Sequence, residues 1–235
     1  MTCDTTYRVI SLAGLAATVG GSVLHYLAAG RKVRAGGPAG GPPDVRRLGF
    51  LERIVFLGFA LTLLCLAATG MWANLLLGQR LAGWGLMLHV AAGGAFMACL
   101  LLLAVLWAED CRFRELDAHW RRACREHPDR PAPAGRFDPG QKCAFWLALA
   151  LAVVAALSMF VSMLPIFTPE GLELLRDVHR YSGLLLLIVA YVHFYRTVIV
   201  RRGKIAWLLR GKVSSDWARH YHGLWRPAGQ GEPDA

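Results

Sequence analysis

Of the eight histidines in this 235-residue chain, four (His25, His89, His179 and His193) lie within or at the edge of long apolar runs. An imidazole at membrane depth is costly, so each calls for a partner or a function. A hydrogen bond across helices would satisfy any one of them. Their spacing points further. His179 and His193 are 14 residues apart, which on one helix leaves them about 40° from alignment and about 21 Å apart along the axis. Two ligands on one helix face, one near each leaflet, suit two haems stacked across a bilayer. The remaining histidines, His119, His127, His220 and His222, fall in polar segments and read as solvated or partner-facing.

The elements that must position these residues are membrane spans. The chain is 55% hydrophobic and 18% charged, against about 25% charged in an ordinary soluble domain. Its mean hydropathy is +0.39. Five stretches reach the roughly 20 residues needed to cross a bilayer. They are Val9–Ala29, Ile54–Leu77, Trp84–Trp107, Cys143–Leu164 and Tyr181–Val200. The first is too long for a signal peptide and is followed by Arg31, Lys32 and Arg34, so it reads as a retained helix. The expected fold is therefore an all-α polytopic membrane bundle of five transmembrane helices.

The net charge of +10 follows the topology. Of the 26 Lys and Arg, 22 fall in the first-to-second and third-to-fourth connections and the tail, and only Arg8, Arg80, Arg176 and Arg180 fall elsewhere. That alternation places the N-terminus outside and the C-terminus in the cytoplasm. It also sorts the histidines by depth, with His89 and His179 at the outer edge and His25 and His193 at the inner one. Gly93, Gly183 and Gly21 each lie four residues from one of these histidines, leaving room for a porphyrin edge or for ordinary helix packing. Basic residues that track topology argue against a nucleic-acid surface.

Residues 1–30 form an extra N-terminal helix, 31–50 a cytoplasmic Gly/Pro linker, 51–210 a four-helix domain with cytoplasmic loop 108–142, and 211–235 a cytoplasmic tail. Phe113, Leu116 and Trp120 are spaced for a helix lying on the membrane surface. The non-membrane parts read as too short to bury a core. The six cysteines include no CxxC pair, so neither a zinc site nor covalent haem attachment is signalled; Cys65 and Cys99 read as small apolar groups.

Three features taken together resemble one family. They are Phe137-Asp-Pro-Gly-Gln-Lys142 before the fourth span, the 14-residue spacing of His179 and His193, and the tail Gly211-Lys-Val-Ser-Ser-Asp-Trp-Ala-Arg-His-Tyr-His222 followed by Trp225. The chain resembles, over residues 46–226, the membrane cytochrome b (gamma) subunit of respiratory formate dehydrogenases and its relatives. The resemblance implies a four-helix, two-haem b core that exchanges electrons between a partner subunit and quinone. It implies that His89 and His179 ligate the outer haem and His193 the inner one, with a quinone pocket near Asp138, Gly140 and Gln141.

Three departures stand out. Phe56 occupies the position where relatives carry the inner haem's other histidine, and phenylalanine cannot ligate iron. The extra helix delivers His25 to the same depth, so His25 is expected to substitute. Asp138 stands where relatives often have Asn; an acid there would relay protons to quinone or simply be a solvated loop residue. Arg180 and Arg196 are candidates to neutralise haem propionates, or else anchors that snorkel at span ends.

The expected function is transmembrane electron transfer in a bacterial inner (cytoplasmic) membrane. Electrons would pass between an external redox partner, the two haems, and menaquinone or ubiquinone. Partner classes are a molybdenum enzyme with an iron–sulfur subunit, a hydrogenase or a multihaem cytochrome c, alongside membrane lipid. Competing readings are a mono-haem protein lacking the inner centre and a haem-free membrane anchor. A histidine-based proton transporter is disfavoured, because the spans lack acids and show no internal symmetry.

Overall fold

A computed structural model describes residues 3–35, 41–127, 130–201 and 209–225. Parts of the predicted linker (36–40) and of the tail (226–235) lie outside the described residues. Five helices are long and apolar enough to cross a membrane: Thr5–Ala29, Phe50–Leu76, Gly83–Trp107, Pro139–Val161 and Pro169–Val200. They belong to α1 (Cys3–Ala35), α2 (Phe50–Met71, continued in wider π-turns over Trp72–Leu77), α3 (Gly83–Trp107), α5 (Pro139–Val161) and α6 (Pro169–Phe194, continued as a π-helix over Tyr195–Val200). The connections and the tail add α4 (Glu115–Glu126), α7 (Ser215–Tyr221) and two short strands, β1 (Val45–Arg46) and β2 (Lys212–Val213).

Four starts match the expected spans to within a turn or so, but α6 begins twelve residues before the predicted Tyr181. Its first turns carry Glu170, Glu173, Arg176, Asp177 and Arg180, which break the apolar run without breaking the helix. The helix starts where local chemistry dictates. Pro169 sits at its first position, and the Thr168 hydroxyl accepts from Gly171 N at 3.3 Å. The start of α5 is built the same way. Asp138 accepts from Gly140 N (2.8 Å) and Gln141 N (3.2 Å), and the Gln141 side chain returns to Asp138 N at 3.2 Å.

Helices α2 and α3 form one hairpin, α5 and α6 a second, and α3 packs on α5 to join them. Phe96, Leu100, Ala152 and Leu186 are buried at that junction. A second cluster gathers Leu48, Val55, Leu103, Trp107, Cys111 and Phe137, with Phe56, Phe59 and Phe145 packed on it. Gly58 lets α2 approach α3, since a Cβ there would lie 3.1 Å from Cys99 Sγ. The outer faces expose Leu61, Leu64, Leu88, Leu101, Val105 and Leu157, an apolar band suited to lipid.

Helix α1 runs parallel to α6. Tyr7 meets Arg180 and Tyr181, Gly14 lies under Ile188, and His25 meets Tyr195. Both helices therefore cross in the same sense. Arg8 fastens α1 to the end of the first hairpin strut by donating to Leu75 O at 3.1 Å.

One expectation is corrected. The connecting segments do bury a core. β1 pairs antiparallel with β2, Val45 opposite Val213. Trp217 and Ala218 pack beneath them, with Tyr221 and Trp225 at the margin. Gly211 makes this closure possible: its φ is +69°, and a Cβ there would stand 2.8 Å from Leu48 O. Gly223 serves the other end, where a Cβ would meet Pro131 Cβ at 2.8 Å. Lys142 is 5% exposed and paired with Asp117 (2.7 Å), which holds α4 against α5. Phe113 and Leu116 remain exposed, as a surface helix requires, whereas Trp120 turns inward over Arg201.

Candidate functional site

The histidines expected at the outer edge come together. His89 on α3 and His179 on α6 have ring centroids 6.1 Å apart at an interplanar angle of 71°. The other two core helices orient them. The Thr69 hydroxyl on α2 donates to Cys65 O at 2.8 Å, so its oxygen accepts from His89 Nδ1 at 2.7 Å. His179 Nδ1 faces the Ala155 carbonyl of α5 at 2.9 Å and must donate to it. Each ring thus carries its proton on Nδ1 and keeps the Nε2 lone pair for a ligand, the tautomer that metal-bound imidazoles show.

The donor set fits a haem iron. A metal–imidazole bond is about 2 Å, so two imidazoles on one metal have ring centroids about 6 Å apart. Among the described residues no group of three or more His, Cys, Asp or Glu could hold a bare metal ion. Two imidazoles suffice when a macrocycle supplies the other four donors. A Cβ at Gly183 would meet nothing within 4 Å, and at Gly93 only Leu66 Cδ2 at 3.9 Å, so each histidine has open space one turn away.

Arg180 turns toward α1. Its guanidinium lies 5.6 Å from the Tyr7 ring centroid and 3.6 Å from Asp177, and its carbonyl accepts from the Tyr7 hydroxyl. At the other end of the bundle, Asp138, Gly140 and Gln141 open α5, and Arg196, expected at a haem propionate, lies against Gly140 instead. The Arg196 guanidinium lies 3.2 Å from where a Gly140 Cβ would sit. His193 is partly buried within electrostatic reach of Asp138, Arg201, Arg47 and Arg196.

His25 and His193 are not brought together in the same way. His25 is exposed, and its Nδ1 is 2.8 Å from the Tyr195 hydroxyl. Tyr195 is two residues past His193, about 200° round the helix. Phe56, where the family's second inner ligand is expected, packs against Phe59 and Trp107 with centroids 6.0 and 5.9 Å away.

Several residues around Asp138 stand differently from the sequence expectation. Asp138 is not a solvated loop acid. It is fully buried and ion-paired with Arg201. Burial alone would raise its carboxyl, but the charge and hydrogen bond of Arg201 hold it below the usual range. Arg47 stacks over Trp217 (4.8 Å) and donates to Arg136 O and Gln141 Oε1. Burial, with Arg136 and Arg201 nearby, lowers it to about 9. His222, read as solvated, is 1% exposed. The aromatic spacing of Trp217, Tyr221 and Trp225 was the available signal that the tail docks rather than dangles. The orienting groups Thr69 and Ala155 O gave no sequence signal, because any hydroxyl or carbonyl at the right height would serve.

Paired imidazoles fixed through Nδ1 inside a bundle of membrane-length helices are what a membrane cytochrome requires. The model of the prokaryotic cytochrome b561 family matches residues 47–211, and the chain belongs to that family. It is a multi-pass haem b protein of the bacterial inner membrane that serves electron transport. Among its relatives is the cytochrome b556(fdo) subunit of formate dehydrogenase from Escherichia coli, 26% identical over 144 residues, 59% of this chain and 68% of the relative. Another is the cytochrome b556(Fdn) subunit of the nitrate-inducible formate dehydrogenase of the same species, 24% identical over 149 residues, 60% and 68% of the two chains.

Proposed function

We propose that this chain is the dihaem, quinone-linked cytochrome b subunit of a respiratory oxidoreductase complex. One haem b is held by His89 and His179 at the outer end. A second is held by His193 at the inner end, with His25 as its opposite ligand. Quinone, menaquinone or ubiquinone, reacts beside Asp138, Gly140 and Gln141, and Arg180 and Arg196 lie at the depths of the haem propionates. The N-terminus is outside and the C-terminus cytoplasmic, as the distribution of Lys and Arg supports. The partner is a redox enzyme on the outer side. The named relatives favour a molybdenum enzyme with its iron–sulfur subunit; a hydrogenase or a multihaem cytochrome c fits the same chemistry.

The observation that carries this reading is the opposed pair His89 and His179, each anchored through Nδ1. The bound haem supplies one-electron chemistry. The chain's residues set the axial ligands, the tautomers and the burial. Pyridine haemochrome on the purified protein should return two haems b per chain. His89→Ala and His179→Ala should each remove one, and His25→Ala should remove the other.

A one-haem reading is favoured by the bond from His25 to Tyr195 and by the packing of Phe56. Its signature is one haem per chain, unchanged by His25→Ala. No haem at all would leave only a membrane anchor.

A further inference from the structure

The tail contributes a buried base that the reading above does not use. His222 is 1% exposed, its Nδ1 lies 2.7 Å from Gly135 O, and its ring packs on Trp217 and Trp225 with centroids 5.0 and 6.4 Å away. Facing a carbonyl, Nδ1 carries the proton and donates. Nε2 is then a bare lone pair. It is buried and has no hydrogen-bond partner among the described residues. Such an atom asks for a donor that arrives from elsewhere.

The surroundings narrow the donor. The charged groups acting on the ring are Arg47 beside β1, Asp138 at the head of α5 and Arg201 at the end of α6. Asp138 is spoken for. One carboxylate oxygen accepts from Gly140 N and Gln141 N, and the other from Arg201. It is poorly placed to take a further proton. Burial and the charge of Arg47 keep His222 neutral, so its lone pair is available at neutral pH.

We infer that His222 Nε2 is the proton acceptor for the hydroxyl of a quinol bound beside Asp138, Gly140 and Gln141. This rests on the quinone reading proposed above and assigns the catalytic base of that site. Oxidising one quinol to quinone releases two electrons and two protons. The one-electron oxidant would be ferric haem b, two equivalents per quinol. As one O–H bond breaks, its proton passes to Nε2 and gives an imidazolium; the other proton goes to water. The imidazolium, disfavoured by Arg47 and Arg201, then returns its proton to water. Quinone reduction runs the same steps backwards.

The test uses the full-length haem-loaded protein in detergent, with menadiol as reductant. His222→Asn is the informative variant, since its side-chain amide can keep the bond to Gly135 O while removing Nε2. Menadiol should reduce its haem about 10²-fold more slowly than the wild type, the loss expected for a general base. The acid-side rise of rate with pH, where His222 gives up its proton, should flatten, while dithionite still reduces all the haem. Menadione binding, read by tryptophan quenching, should weaken severalfold, a readout independent of turnover. Wild-type rates, pH profile and binding in His222→Asn would overturn the inference and leave a purely structural histidine. A wild-type protein that menadiol does not reduce would overturn the quinone reading, and this inference with it.

Discussion

Arg201, where α6 ends, is ion-paired with the fully buried carboxylate of Asp138 at the head of α5, 63 residues earlier in the chain. The pair does two jobs with one side chain: one Asp138 oxygen caps α5 while the other neutralises Arg201. Asp138→Asn keeps a capping oxygen but removes the charge. Removing one member of a buried pair costs about 3–5 kcal/mol. The lower end is expected, because Arg201 retains 10% side-chain exposure. The thermal midpoint of the purified protein should fall, and adding Arg201→Gln should recover part of the loss. Equal midpoints for wild type and Asp138→Asn would refute the assignment.

The docked tail should weaken in mild acid. Burial, together with Arg47, holds His222 well below the usual imidazole range, so the folded tail binds no proton there at neutral pH. Once undocked, the same ring takes up a proton below about pH 6.5. The stabilisation is complete above that pH and falls as the pH drops, by at most about 1.4 kcal/mol per pH unit. The protection of residues 211–225 against hydrogen exchange, corrected for the intrinsic slowing of amide exchange in acid, should therefore fall between pH 7.5 and 5.5. A protection factor that is higher at pH 5.5 would contradict the sign.

Thr69 should tune the haem proposed at His89 and His179 without touching it. Its hydroxyl fixes the tautomer of His89, and loss of such an orienting partner typically costs 10- to 100-fold in metal affinity. Thr69→Val should retain the haem absorbance at first but release haem faster to an apomyoglobin acceptor. Release at the wild-type rate would show that the bond to Thr69 is incidental.

Gly211 should tolerate no side chain. Alanine would be strained by about 1–2 kcal/mol at this left-handed backbone position and would crowd Leu48 O. Gly211→Ala should expose Lys212 and Arg219 to trypsin while leaving the haem content unchanged. A tail as resistant as the wild type's would argue against the tight closure.

The five spans were legible because crossing a bilayer demands only length and apolarity, both of which are local. The pairing of His89 with His179 was legible because alternating topology turns sequence position into depth. Depth is one coordinate, however, and ligation needs azimuth as well. His25 has the right height but meets α6 on the Tyr195 side, beside a π-helical segment whose altered turn no periodicity announces. The polar opening of α6 hid its first twelve residues, because Glu170, Glu173 and Asp177 interrupt an apolar count. The cap formed by β1, β2 and α7 was illegible for a different reason. Two-residue strands have no pattern of their own, and Val45 finds Val213 only after the bundle has brought the segments together.

That strand pair also sets an order of biogenesis. Domains form roughly N-terminal first as the ribosome advances. Residues 45 and 46 wait unpaired until residues 212 and 213 emerge, by which time all five spans have been made. The buried cluster of Arg47, Asp138, Arg201 and His222 is therefore completed last. A nascent or shortened chain would present an inserted bundle whose buried cluster of charges is still open to water.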